Sequence, residues 1–192
     1  MTSATHPRVR LALNKSRKLV RVLRNRAYWP ALAKGVAASV EHSGIPFEER
    51  FETVLDVGAS RGQFALFSRE SFPGTRIICF EPLPGPGADL RAILKDRVLN
   101  QPIKRPCLLK IDVQGYELNV LRGGTKTLHE VDVALIECSF VELYEGQALA
   151  GQVISFMAEA GFRLAGVHHM AYSFDGSSIQ ADFLFRREKR ED

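Results

Sequence analysis

The stretch Thr-Val-Leu-Asp-Val-Gly-Ala-Ser-Arg-Gly-Gln-Phe, residues 53–64, decides how the chain is read. Val54, Leu55 and Val57 form a short apolar, β-branched run that predicts a buried strand, and Gly58 through Gly62 predict a tight turn into a helix over Gln63–Ser71. Strand, glycine turn and helix in that order make a small-ligand site. The two glycines let the backbone approach a ligand closely, but the three-glycine dinucleotide fingerprint is absent. Asp56 narrows the choice. A carboxylate two residues before the first glycine repels a pyrophosphate, whereas it can accept from the ammonium group of S-adenosylmethionine, which is cationic and carries no phosphate. A turn that holds nothing is the alternative on these residues alone.

Outward from this stretch, residues 75–80 predict a second strand closed by Glu81-Pro82. A carboxylate at that strand end is placed to accept from the two hydroxyls of a ligand ribose, of NAD and S-adenosylmethionine alike. From 82 to 106 the chain changes character, with a Pro/Gly loop over 82–87 and a helix expected over 88–99. Residues 107–113 predict another buried strand, on which Lys110 and Asp112 alternate onto one face, and Gly115 turns the chain into a helix carrying Tyr116, Glu117, Leu118 and Leu121. A strand over 133–138 ends at Glu137, a helix over 149–160 stops at Gly161, and strands over 162–169 and 181–186 form a hairpin across Asp175-Gly176. His168 and His169 then lie on opposite faces of a strand, so at most one of them faces a pocket. Upstream, residues 28–40 predict a helical segment broken by Gly44-Ile45-Pro46.

Alternating strands and helices closed by a strand pair predict an α/β three-layer sandwich with a mostly parallel sheet and a C-terminal antiparallel pair. Asp56, Glu81, Asp112 and Glu137 all fall at the carboxyl ends of strands, where such sheets bind ligands. Singly, each of these acids serves equally well as a cap or a solvated loop residue.

The chain has 192 residues and 45% apolar content, enough for one domain with a real core. Cys79, Cys107 and Cys138 show neither zinc spacing nor a disulfide framework, which suits a reducing, cytoplasmic setting. No apolar run is long enough to span a bilayer, and no signal-peptide core is expected. The first 40 residues hold nine of the 26 basic residues and none of the 22 acidic ones, so the net charge of +4 belongs to this leader. It reads as a basic helical extension over 1–40, ahead of a domain over 41–192. Its amphipathic pattern suits a membrane surface or an acidic partner, or a solvated helix with one face on the domain. Nucleic-acid binding is not expected, because acids outnumber bases beyond the leader and no recognition motif is present.

The blocks Val-Leu-Asp-Val-Gly-Ala-Ser-Arg-Gly-Gln-Phe (54–64), Phe-Glu-Pro-Leu-Pro (80–84), Leu-Leu-Lys-Ile-Asp-Val-Gln-Gly-Tyr-Glu (108–117) and Ile-Glu-Cys-Ser-Phe (136–140), with the Phe183-Leu184-Phe185 ending, resemble the FkbM family of S-adenosylmethionine-dependent methyltransferases. The resemblance covers roughly residues 36–187 and is most specific at 108–117. It implies the class I methyltransferase (Rossmann-like) fold and O-methylation of a hydroxyl on a sugar, polyketide or related small-molecule acceptor. By the same resemblance Asp56, Gly58, Ala59 and Gly62 line the methionine end of the donor and Glu81 its ribose, while Asp112 and Glu117 belong to the active-site block. Asp112 is the first candidate to accept or orient the acceptor hydroxyl, with Glu117 and Glu137 behind it and Lys110 holding it ionised. A metal between Asp112 and Glu137 is not supported by their spacing, and none is expected.

One departure from the family matters. Its members carry a third strand and further pocket material between the second and third of these blocks, whereas only 25 residues, 82–106, stand here. A helix, a strand and two connections do not fit that span. The third strand is therefore expected to be missing and the second strand to form an exposed edge, which weakens donor binding, puts activity in doubt and invites self-association. Two other classes stay open: a non-catalytic, degenerate binding protein of the same fold, and a nicotinamide-dependent oxidoreductase, which Asp56 and the missing third glycine disfavour.

Overall fold

The computed structural model describes residues 23, 25–87 and 102–188. Of the basic helical extension expected over 1–40, residues 1–22 and 24 lie outside the described residues, as does the helix expected over 88–99. Among the described residues six strands, β1 (Thr53–Val57), β2 (Arg76–Phe80), β3 (Cys107–Ile111), β4 (Val133–Ser139), β5 (Phe162–Tyr172) and β6 (Ser178–Arg187), form one sheet in the order β2-β1-β3-β4-β6-β5. The first four run parallel, and β6 pairs antiparallel with both β4 and β5.

Burial follows the pleat. Val54, Leu108, Leu135 and Leu184 point to one face of the sheet and pack with Phe64 and Phe67 of α2 (Gln63–Ser71). Their chain neighbours Leu55, Leu109, Ala134, Ile136, Phe183 and Phe185 point to the other face, among Leu121 of α3 (Glu117–Gly123), Leu128 of α4 (Thr125–Leu128) and Val153 and Met157 of α5 (Ala150–Glu159). Two cores separated by one sheet make the three layers, and the central parallel strands β1, β3 and β4 are buried on both faces, as covered parallel strands require. α5 ends at Gly161, whose φ of +80° provides the expected left-handed cap.

β3, the next described strand after β2, pairs with β1 on the side opposite β2. Among the described residues β2 is thus the edge of the sheet, as the short connection predicted, with Phe80 51% exposed at its end.

The segment 28–40 corrects the sequence reading. Instead of one helix it forms α1 (Trp29–Leu32), then a Gly35 turn at φ +70°, then irregular chain leading into a 3-10 turn at Val40–Gly44. Val36, Ala38 and Val40 are buried at every second position and meet Tyr28, Ala31 and Leu66 in a small core of their own. Their period of two belongs to extended backbone, and the Arg61 guanidinium donates to the carbonyls of Lys34 and Gly35 at the turn.

Candidate active site

The pleat also sets a polar row. Asp56 follows Val54 by two residues, Lys110 follows Leu108 and Glu137 follows Leu135, so all three side chains continue the α2-side face at the carboxyl ends of their strands. The register pairs Asp56 with Lys110 and Glu137 with Asp182. This row borders a cavity of about 1020 Å³ lined by Gly58, Ala59, Glu81, Lys110, Asp112, Gln114, Glu137 and Asp182, among others. It is large enough for a nucleoside-sized ligand with a second small molecule.

The glycine turn is held from three sides. Gly58 and Ala59 donate their N–H groups to the Phe80 carbonyl at 3.0 and 3.1 Å, and Ser60 donates to Glu81 Oε2 at 2.7 Å. Gly58 has φ +78° and packs directly against the Asp112 backbone, so only a residue without a β-carbon fits. Gly62, at φ +90°, is the N-cap of α2. Glu81 also accepts from Leu83 N–H through Oε1 at 2.8 Å, so its carboxylate is oriented by the loop on each side of it while remaining on the cavity wall.

Lys110 stands between two carboxylates. Its Nζ donates to Asp112 Oδ2 at 3.1 Å, lies 3.7 Å from Asp56 Oδ1 and sits 5.7 Å from the centre of the Phe64 ring. Burial works against its charge, but the Asp56 and Asp112 carboxylates outweigh that and push its pKa upward. Asp56 is fully buried with neither oxygen hydrogen-bonded, and that desolvation, opposed by Lys110, raises its pKa to about 6.

Asp112 continues into a side-chain network. Gln114, at φ +53°, donates from Nε2 to Asp112 Oδ1 at 3.0 Å and to Glu137 Oε2 at 3.3 Å, and accepts from the Tyr144 hydroxyl at 2.7 Å. Gln180 donates to Glu137 Oε1 at 2.9 Å. Burial, reinforced by Asp112 and Asp182, raises the Glu137 pKa to about 7.

At the far end, His169 Nδ1 lies 2.7 Å and His42 Nε2 lies 3.4 Å from Asp182 Oδ2. The bond to Asp182 raises the His169 pKa. Burial works to raise that of Asp182, but its bonds to His169 and His42 hold it below the usual carboxylate range.

The structure therefore brings together Gly58, Ala59, Glu81, Lys110 and Asp112 on one cavity wall. Three sequence-predicted residues stand elsewhere; Gly62, the N-cap of α2, does not line the cavity. Asp56 lies beneath the wall and reaches the cavity only through Lys110, because its position in β1 points it into the α2-side core. Glu117 is 3% exposed and its Oε1 accepts from the N–H groups of Val113 and Gly115, at 3.2 and 3.1 Å, so it clamps the loop rather than facing a substrate. Of the histidine pair, one faces the cavity as expected, but it is His169 rather than His168, the register partner of Asp182, because the β5–β6 register breaks after His168.

Sequence reasoning overlooked His42, Asp182 and Gln114. Gln114 lies inside the 108–117 block and Asp182 just before Phe183, so position alone could have flagged them; nothing local distinguishes His42.

The sheet order, the covered faces and the cavity beyond the parallel strand ends define the class I methyltransferase fold. By sequence, the methyltransferase FkbM domain matches residues 91–164, which bears out the family resemblance over that span. No curated protein matches the chain significantly by sequence. Among solved structures, the Burkholderia thailandensis 1,6-didemethyltoxoflavin-N1-methyltransferase, with bound 1,6-didemethyltoxoflavin and S-adenosylhomocysteine, is similar at 14% identity and a TM-score of 0.53, over 98% of this chain and 93% of that one. The magnesium protoporphyrin IX methyltransferase of Synechocystis PCC 6803, with bound S-adenosylmethionine, is similar at 12% identity and 0.50, over 70% and 69%. A methyltransferase of calicheamicin biosynthesis, in its S-adenosylhomocysteine-bound form, is similar at 16% and 0.50, over 78% and 53%. At such identities the likeness is one of fold. The chain spans about half the length of the calicheamicin enzyme and of mitomycin 7-O-methyltransferase. Among the described residues no helix is long and apolar enough to cross a membrane.

Proposed function

We propose that the protein is an S-adenosylmethionine-dependent methyltransferase acting on a hydroxyl of a small molecule such as a sugar or polyketide. The observation that carries this reading is the join of the Gly58 turn to Glu81 through Ser60, which sets a close-approach loop and a ribose-binding carboxylate on one cavity wall facing Asp112. In this reading Gly58, Ala59 and Gly62 shape the methionine end of the donor and Glu81 accepts from its ribose hydroxyls. Asp56 acts from below by holding Lys110.

Methyl transfer from a sulfonium is an in-line displacement, so alignment and exclusion of water carry most of the acceleration. Asp112, held by Lys110 and Gln114, is aimed to accept the hydrogen bond of the acceptor hydroxyl and orient its lone pair. Glu137, at the other end of Gln114, is the second carboxylate in reach, the one expected beside Glu117, which is turned into the loop instead.

Calorimetric titration with S-adenosylhomocysteine, and in parallel with NAD, tests the reading. Binding of the first and not the second supports it. Binding of NAD alone overturns it.

A further inference from the structure

We propose that His42, His169 and Asp182 form a divalent transition-metal site at the β6 end of the cavity. The three residues come from separate elements, the 3-10 turn at 40–44, β5 and β6, yet their donor atoms all lie within 4.8 Å of one another. His42 Nε2 is 3.4 Å from Asp182 Oδ2, the separation that two ligands on one metal take when each bond is about 2.0–2.2 Å long. His169 Nδ1, at 2.7 Å from the same oxygen, needs to open by about 0.7 Å to reach that geometry, a shift that side-chain rotation supplies.

The unused ring nitrogens carry the stronger argument. His42 Nδ1 lies 3.0 Å from the Ser39 carbonyl oxygen and His169 Nε2 lies 3.1 Å from the Glu41 carbonyl oxygen. Each contact fixes the tautomer with its N–H on the carbonyl side. Each thereby leaves the other ring nitrogen facing Asp182, the position at which a metal would replace the proton shared with the carboxylate.

The backbone is also shaped for the purpose. His169 takes φ +49°, left-handed for a non-glycine residue, where the β5–β6 register shifts between His168 and Ala171. That irregularity turns its ring over Asp182 and edge-on to His42, with centroids 5.2 Å apart. His42 is held in turn by Phe64 and Phe67.

Charge points the same way. Among the described residues Glu41, Glu81, Asp112, Glu137 and Asp182 line the cavity and Asp56 lies under it, against one ammonium, that of Lys110. Two neutral imidazoles and one carboxylate select a borderline ion such as zinc, cobalt(II) or iron(II) over calcium or magnesium, and three protein ligands leave coordination positions open. All three residues line the cavity. On the methyltransferase reading, an open position there would take an oxygen of the acceptor.

The test is titration of the chelator-treated full chain with Co²⁺, followed by visible absorption, with and without S-adenosylhomocysteine. One equivalent should give d–d bands, and His169→Gln and Asp182→Asn should each weaken binding by at least about 100-fold, beyond the loss of an outer hydrogen-bond partner. Ring-nitrogen NMR of the unmutated protein with Zn²⁺ needs no variant, and should shift His42 Nε2 and His169 Nδ1. Absence of the bands at one equivalent, variants that titrate like the parent, or unmoved ring nitrogens would overturn the site. Cobalt binding that persists where S-adenosylhomocysteine fails to bind supports the site and counts against the donor reading alone.

Discussion

A β-carbon placed on Gly58 would lie 1.8 Å from the carbonyl oxygen of Asp112. The glycine turn after β1 is thus pressed onto the backbone that begins the Asp112–Gln114 network, and donor loop and acceptor wall share one contact.

Gly58→Ala should therefore cost about 3 kcal/mol or more, because the clash is with backbone and adds to a φ of +78°. Gly74→Ala is the control. It has φ +87° with nothing within 4 Å, so only the conformational cost of about 1 kcal/mol applies. Urea unfolding of both variants separates the two effects, and equal losses would mean that the close approach does not matter.

Lys110 and Asp56 form a buried pair, and removing only the cation strands the carboxylate. Lys110→Met should destabilise the fold by about 3–5 kcal/mol, and adding Asp56→Asn should recover part of that loss. Strict additivity in the double-mutant cycle would deny the coupling.

Asp56 also makes a pH signature. Its folded pKa of about 6 lies above the ordinary 3.8, so the folded chain binds the extra proton. The corresponding stability is fully present below the ordinary value, is lost as pH rises through about 6, and amounts to about 3 kcal/mol. Asp56→Asn should consequently gain stability relative to the parent between about pH 4 and pH 7. Parallel stability curves would show that Asp56 titrates normally.

At the site, Glu81→Ala should weaken S-adenosylhomocysteine binding by about 1–3 kcal/mol, since it removes a charge-assisted acceptor and frees the Ser60 N–H. Asp112→Asn should instead lower turnover while leaving donor affinity within a few-fold. Calorimetry and single-turnover assays distinguish them; loss of donor affinity and folding together in Asp112→Asn would make it a structural carboxylate.

The edge at β2 gives the remaining expectation. With Ile77, Ile78 and Phe80 on an edge strand among the described residues, the protein should self-associate with rising concentration and bind the donor weakly. Sedimentation velocity and calorimetry read these, and a monodisperse monomer with micromolar affinity would contradict both.

What local sequence determined is what local physics controls. The helix Gln63–Ser71 and the strands at β1, β3 and β4 follow from apolar runs bounded by glycine and proline, and the parallel, doubly covered sheet follows from their alternation with helices. The 25-residue span from 82 to 106 led to the expectation of β2 at the edge, where it stands among the described residues, because chain length limits what a connection can hold. The 108–117 block located Lys110 and Asp112 but not the direction of Glu117. A side chain near a helix start can point into the loop or away from it, and only the loop N–H groups of Val113 and Gly115 decide which.

The tertiary structure alone decided the other end of the cavity. His42 and Asp182 are 140 positions apart, and the His169 ring is oriented by a carbonyl 128 positions away, at Glu41. No local periodicity encodes such a meeting. It depends on β6 returning antiparallel beside β4, on the bulge that turns His169, and on the extended packing of Val36, Ala38 and Val40 against Leu66 that carries His42 to the strand ends. Asp56 shows the same limit from the opposite side: its place in the sequence marks a ligand loop, but the pleat of β1 sends its carboxylate into the core, where Lys110 is its ionic partner.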